Sequence, residues 1–131
     1  MQQTDQQTIL LIEDEEDLRD SIRQILDFEG YRVIPAENGA SGLEKLSGQA
    51  VDLIICDIMM PGINGIEVFQ TIRSSDETRH IPFVFISSLS RYSDLTRMTE
   101  LGLEPGDYLE KPFTMLQLLN CVRSNLHGLN G

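Results

Sequence analysis

The amino-acid sequence predicts an α/β fold: a doubly wound (βα)5 three-layer sandwich on a five-stranded parallel sheet of order 2-1-3-4-5. Three observations carry this expectation. Short apolar runs alternate with stretches of helical periodicity along the whole chain, the pattern of parallel strands joined by crossover helices. The central run, Val51 to Cys56, is interrupted only by Asp52, as expected of a strand covered on both faces. Right-handed crossovers then restrict the topology, and 2-1-3-4-5 is a common doubly wound solution.

The first strand, β1, reads Ile9 to Ile12 and runs into the acids Glu13, Asp14, Glu15 and Glu16. From Asp17 the period changes. Leu18, Ile22, Ile25 and Leu26 share one face and predict helix α1, which Gly30 ends. Tyr31, Val33 and Ile34 predict β2, and Asn38 is placed to cap α2, from about Gly39 to Leu46. β3 is the central run and meets Asp57 at its end. Pro61, Gly62 and Gly65 then turn the chain before α3, where Ile66, Phe69 and Ile72 recur at helical spacing. The run Ile81 to Ile86 predicts β4, closing on Ser87, Ser88 and Ser90. Helix α4 is expected around Tyr92 to Leu101, with only Leu95, Met98 and Leu101 on its apolar face. Asp107 to Glu110 predicts β5, leading into Lys111 and Pro112. Thr114 and Gln117 stand at capping-box spacing before α5, whose apolar face is Leu116, Leu119, Val122 and Leu126.

The 131 residues suit one domain, expected over residues 8–127, with 1–7 a short disordered leader and 128–131 a C-terminal tail. No apolar run approaches the roughly 20 residues that cross a bilayer, so no membrane association is expected. The opening MQQTDQQT has neither the basic region nor the apolar core of a signal peptide, and a cytoplasmic location is expected. Lys and Arg number 10 against 21 Asp and Glu, a net charge of −11, which argues against direct nucleic-acid binding. Cys56 falls in β3 and Cys121 in α5, so each reads as a small buried hydrophobe rather than half of a disulfide.

The strand order brings several chemical groups to one sheet edge. β1 delivers Glu13 and Asp14, β3 delivers Asp57, β4 delivers Ser87 and β5 delivers Lys111. Taken singly, each has a plain reading: acids at a helix start, a turn aspartate, a capping serine, a surface lysine. Taken together they make a site. Two carboxylates about 4 Å apart repel by roughly 4 kcal/mol at an effective dielectric of 20, so either protons or a cation must join them. All-oxygen ligands with room for water suit Mg²⁺. A divalent ion beside a carboxylate, a hydroxyl and a lysine is the equipment for phosphoryl transfer, with Asp57 the candidate nucleophile.

These residues resemble a known family. LIEDE at Leu11 to Glu15, DIMMPGINGIE from Asp57, FISS at Phe85 to Ser88 and DYLEKPF at Asp107 to Phe113 resemble the receiver domain of bacterial two-component response regulators, a flavodoxin-like fold. The resemblance runs from about Thr8 to Leu126. It implies that Asp57 is the phosphoacceptor of a phosphorelay, fed by a sensor histidine kinase or a histidine phosphotransfer protein. It implies Mg²⁺ held by Asp14, Asp57, the main-chain carbonyl of Met59 and, through water, Glu13. Ser87 and Lys111 would contact the phosphoryl group, Lys111–Pro112 would be cis, and Ser87 with Tyr108 would form the switch that alters the α4-β5-α5 face. A downstream output domain or protein would read that face, and a homodimer through it is compatible with the family. Such a domain is a regulatory phosphoacceptor rather than an enzyme with turnover. The sequence departs from the usual pattern in Glu13, in Ser88, and in LGLEPGDYLEKP, which lengthens the loop before Asp107 beside the signalling face. Met59 and Leu89 offer no group to orient an attacking water, so slow loss of the phosphoryl group is expected.

The competing reading is a degenerate receiver acting as a phosphorylation-independent interaction module, against which the complete acid, serine and lysine set argues. An aspartate-nucleophile phosphatase needs a general acid two residues beyond the nucleophile, where Met59 stands. A flavin site needs a phosphate-cradling loop after β1, where acids stand instead.

Overall fold

In the computed structural model, residues 6–88, 96–97, 99–100, 102 and 106–127 are described. The five strands are β1 (Thr8–Ile12), β2 (Arg32–Ala36), β3 (Leu53–Asp57), β4 (Phe83–Ser87) and β5 (Asp107–Glu110), all parallel, in the order β2-β1-β3-β4-β5. The helices are α1 (Glu16–Phe28), α2 (Gly39–Leu46), α3 (Gly65–Arg73) and α5 (Met115–His127). Residues 96–97 and 99–100 are helical within the span expected for α4; the rest of that helix, Leu89 and the loop at 103–105 lie outside the described residues.

Period-two alternation along the strands sorts the core into two layers. Leu10, Ile12, Ile54, Cys56, Phe83 and Phe85 face α2 and α3, against Leu46, Ile66, Val68, Phe69 and Ile72. Ile9, Leu11, Leu53, Ile55, Val84 and Ile86 face the other way, onto Ile22 and Leu26 of α1 and Leu118, Leu119 and Val122 of α5. β1, β3 and β4 are buried along their whole length, which is why they read as apolar runs rather than alternating ones. Phe69, Phe83 and Phe85 pack edge-on or tilted, with centroids 4.9 to 5.4 Å apart.

Local chemistry sets the boundaries. Two strand starts shift by two residues, β3 to Leu53 from Val51 and β4 to Phe83 from Ile81, while β1, α1 and β2 start within one residue of expectation and β2 extends to Ala36. Asp52 is occupied by β1, its N–H donating to Thr8 O at 2.8 Å and its carboxylate accepting from the Thr8 N–H at 2.8 Å. Pro82 has no N–H to donate, although its carbonyl accepts from Ile54 at 3.0 Å. Asn38 caps α2 by accepting from Ser41, and Asn64 with Glu67 forms a capping box at the start of α3. Thr114 and Gln117 bond reciprocally at 2.8 and 3.0 Å at the start of α5. Gly65 is required by a close approach: a Cβ there would lie 2.3 Å from Asp57 O. Cys56 and Cys121 are both buried, and neither is in a disulfide.

Candidate functional site

The C-terminal ends of the strands converge on a carboxylate cluster. β1 ends at Ile12, so Glu13 follows at the sheet edge, where its N–H donates to Ala36 O at 3.0 Å. The side chain of Glu13 is fully buried. Asp57 is the last residue of β3 and is also buried. Asp14 is exposed beside them, and one oxygen from each of Glu13, Asp14 and Asp57 lies within 4.8 Å of the others.

Lys111 reaches the cluster from the far side of the sheet. β4 and β5 pair in parallel, Ser87 opposite Glu110, and the Lys111 N–H donates to Ser87 O at 2.8 Å. From there its Nζ donates to Asp57 Oδ2 at 2.7 Å and stands 3.3 Å from Glu13 Oε1. The Lys111–Pro112 peptide is cis. Ser87 is fully buried at the last position of β4, one step beyond Ile86, the register partner of Asp57. Tyr108, opposite Phe85 on β5, is half-buried against the layer under α2 and α3.

The electrostatics are unbalanced. Burial pushes the Glu13 carboxyl up from 4.5 to about 7; the charge of Asp57 adds to this, while the Glu15 N–H and Lys111 oppose it. Glu13 Oε2 accepts from the Glu15 N–H at 3.0 Å, yet Oε1 has no hydrogen-bond partner despite the ammonium nearby. Burial pulls the Lys111 ammonium down, but its hydrogen bond to Asp57 and the charges of Asp57 and Glu13 outweigh it, leaving the pKa raised. Burial, with Asp57 and Glu13 close by, holds the Cys56 thiol well above its ordinary range.

A buried carboxylate oxygen that lacks a hydrogen bond, with one ammonium 3.3 Å away and two further acids beside it, fits a further cation. The donor set is all oxygen, which suits a hard divalent ion such as Mg²⁺. Asp14 opens onto a cavity of about 520 Å³ that it shares with Glu37, Asn38, Pro61 and Ile63, leaving space for water on that side.

The edge thus gathers Glu13, Asp14, Asp57 and Lys111, with Ser87 and Tyr108 on the adjoining strands. Two further contributions carry no signal in the sequence. Arg19, half-buried on α1, donates to Glu13 O at 2.9 Å and ties the acidic loop to the helix. The Met59 N–H donates to Asp57 Oδ1 at 3.2 Å, so the residue expected to offer its carbonyl also orients the carboxylate. The Met59 side chain points to solvent, 52% exposed, beside a loop closed by Gly65 N–H donating to Ile58 O at 2.8 Å.

Comparison with known proteins gives a consistent result. A family model described as the response regulator receiver domain matches residues 9–123. The transcriptional regulatory protein CpxR of Escherichia coli (strain K12) is 35% identical over 118 residues, which are 90% of this chain and 48% of that protein. The uncharacterized transcriptional regulatory protein YrkP of Bacillus subtilis (strain 168) is 41% identical over 112 residues, 84% of this chain and 45% of that protein. The chain therefore spans about half the length of these curated relatives. Among solved structures, the signal receiver domain of a signal transduction histidine kinase from Syntrophus aciditrophicus has a TM-score of 0.84 at 29% identity, over 94% of this chain and 92% of that one. The chemotaxis protein CheY4 of Vibrio cholerae matches in fold, with a TM-score of 0.84 at 24% identity over 92% of this chain and 99% of its own. A family match over most of the length, on a sheet of the expected order with its acids at the expected edge, identifies the chain as a member of the response regulator receiver domains of two-component systems.

Proposed function

We propose that the chain is a phosphoacceptor receiver domain in which Asp57 takes a phosphoryl group from a phosphohistidine of a sensor kinase or phosphotransfer protein. The observation that carries this is the buried Asp57 carboxylate held between Lys111 at 2.7 Å and the Met59 N–H at 3.2 Å, beside two further acids. In the transfer an Asp57 oxygen forms the new bond to phosphorus. The N–P bond of the donor breaks, and its electron pair returns to the imidazole, which takes up a proton. Lys111 pairs with a phosphoryl oxygen as a compact positive charge, and Ser87 donates its hydroxyl to another. Glu13, Asp14, Asp57 and the Met59 carbonyl would hold Mg²⁺, whose chemistry is to neutralise charge on the phosphoryl oxygens.

The output follows from the same residues. Lys111 adjoins β5, and Tyr108 lies on β5 opposite Phe85. Rearrangement of Ser87 and Lys111 around a phosphoryl group reaches the α4-β5-α5 face through these strand ends, where an output domain, an output protein or a second copy would read it. The domain is regulatory, with self-catalysed transfer and slow dephosphorylation as its only chemistry, in the cytoplasm.

The test is incubation with Mg²⁺ and acetyl phosphate, followed by intact mass, for wild type and Asp57→Ala. A phosphorylated species in the wild type alone is expected. Its absence in both proteins would leave the phosphorylation-independent interaction module as the better reading.

A further inference from the structure

At the opposite edge of the sheet from Asp57, the C-terminal ends of α2 and α3 enclose a concavity of about 630 Å³. Its floor is apolar: Leu46, Val51, Ile72 and Ile81 are all buried in the core yet line it. Its rim is polar and acidic, with Asp52, Glu77 and His80 exposed. Two helix C-termini meet there, and each carries partial negative charge.

Among the described residues, no Lys or Arg lines the concavity. The cations that are near in sequence already have partners, Arg73 on the carbonyl of the lining residue Ile81. Lys45 Nζ donates to Pro35 O at 2.6 Å, Arg73 donates to Ile81 O at 2.8 Å and lies over the Phe69 ring, and Arg79 pairs with Asp76 at 3.4 Å. Glu77 and His80 have no side-chain partner among the described residues. One oxygen of Asp52 accepts from Thr8, leaving the carboxylate with spare acceptor capacity. An apolar floor beneath an unneutralised acidic rim selects against anions, and the rim adds an attraction that a purely apolar ligand lacks.

We propose that this concavity binds a small amphipathic organic cation of the primary alkylamine class, its alkyl body on the apolar floor and its ammonium at the rim carrying Asp52 and Glu77. The proposal is independent of the phosphoacceptor reading, since none of the residues at the Asp57 edge line this concavity.

Methyl NMR of the full chain, titrated separately with hexylamine, hexanol and hexanoate, tests it. Hexylamine should shift the methyls of Leu46, Val51, Ile72 and Ile81 saturably, with an affinity of about 1 mM, ordinary for so small a ligand. Hexanol should bind more weakly and hexanoate not at all. Glu77→Gln alters an exposed, unpaired side chain and should leave the fold intact while weakening hexylamine about fivefold. Asp52→Asn retains an acceptor for Thr8 and should weaken it similarly. Absence of saturable shifts, hexanol or hexanoate binding as tightly as hexylamine, or both variants binding like wild type, would overturn the proposal.

Discussion

Replacing Glu13 with Gln should make the metal-free protein more stable at neutral pH. Glu13 is fully buried, its Oε1 lacks a hydrogen bond, and burial lifts its pKa from 4.5 to about 7. Between those two values the folded protein holds a proton on Glu13 that the unfolded chain has released. The contribution of this group is therefore fully present below pH 4.5 and is lost as pH rises through about 7. A displacement of that size corresponds to about 3 kcal/mol, a sizeable part of the roughly 5–15 kcal/mol that stabilises a domain. Glutamine keeps the shape without the charge, and Lys111 keeps its bond to Asp57.

The assay is urea unfolding in a chelator across this pH range, wild type beside Glu13→Gln. The groups away from the cluster titrate alike in both proteins, so the difference between the two curves reports Glu13 together with its coupling to Asp57 and Lys111. That difference should move by about 3 kcal/mol in favour of the variant as pH rises from 4.5 to 7. A difference that stays level with pH refutes the reasoning, because it would mean that Glu13 ionises as easily in the folded site as in water.

Mg²⁺ affinity in the wild type should rise with pH below about 7, since the ion competes with the Glu13 proton, and titrations at several pH values should show this dependence flattened in Glu13→Gln. Gly65→Ala would set a Cβ 2.3 Å from Asp57 O and 2.8 Å from Ile58 Cα; unfolding should show a loss of at least about 2 kcal/mol, with weaker Mg²⁺ binding. Asn64→Ala removes the side-chain half of the α3 capping box, the bond accepted from the Glu67 N–H, and should cost about 1 kcal/mol in the same assay. Phe69→Ala empties the centre of the three-ring cluster and should cost about 3–5 kcal/mol, whereas Phe28→Ala, at an 89% exposed position, should change stability by less than about 0.5 kcal/mol.

The fold was legible because its signals are local. α2 and β5 fall at the bounds expected from Asn38 and from Asp107 to Glu110, and the Thr114–Gln117 spacing marks the start of α5. Strand starts were less legible. Whether Val51 and Asp52 continue β3 depends on a partner 44 residues away, since Asp52 is occupied by Thr8. The acids were legible as a group because strand order alone delivers them to one edge. The ties that orient them were not. Arg19 reads as an ordinary helix cation until the α1 geometry turns it onto the Glu13 carbonyl, and the reach of Lys111 to two acids depends on β4–β5 register. A period of 2 or 3.6 reports which face a residue takes, not how far its side chain must extend to meet another strand.

The charge balance at the edge connects these details. Glu13, Asp14 and Asp57 supply three carboxylates, and Lys111 is the ammonium that reaches two of them. With all four ionised, the formal charge of this group is −2, the deficit that one divalent ion cancels. Without the ion, the protein relieves part of the deficit by holding a proton on the fully buried Glu13, whose pKa burial raises. Oε1, ion-paired with Lys111 at 3.3 Å but lacking a hydrogen bond, and the raised pKa are thus two signs of the same shortage of positive charge. Exchanging Glu13 for Gln halves the deficit permanently, to −1. The variant should therefore gain stability at neutral pH through the same change that weakens its hold on a divalent cation.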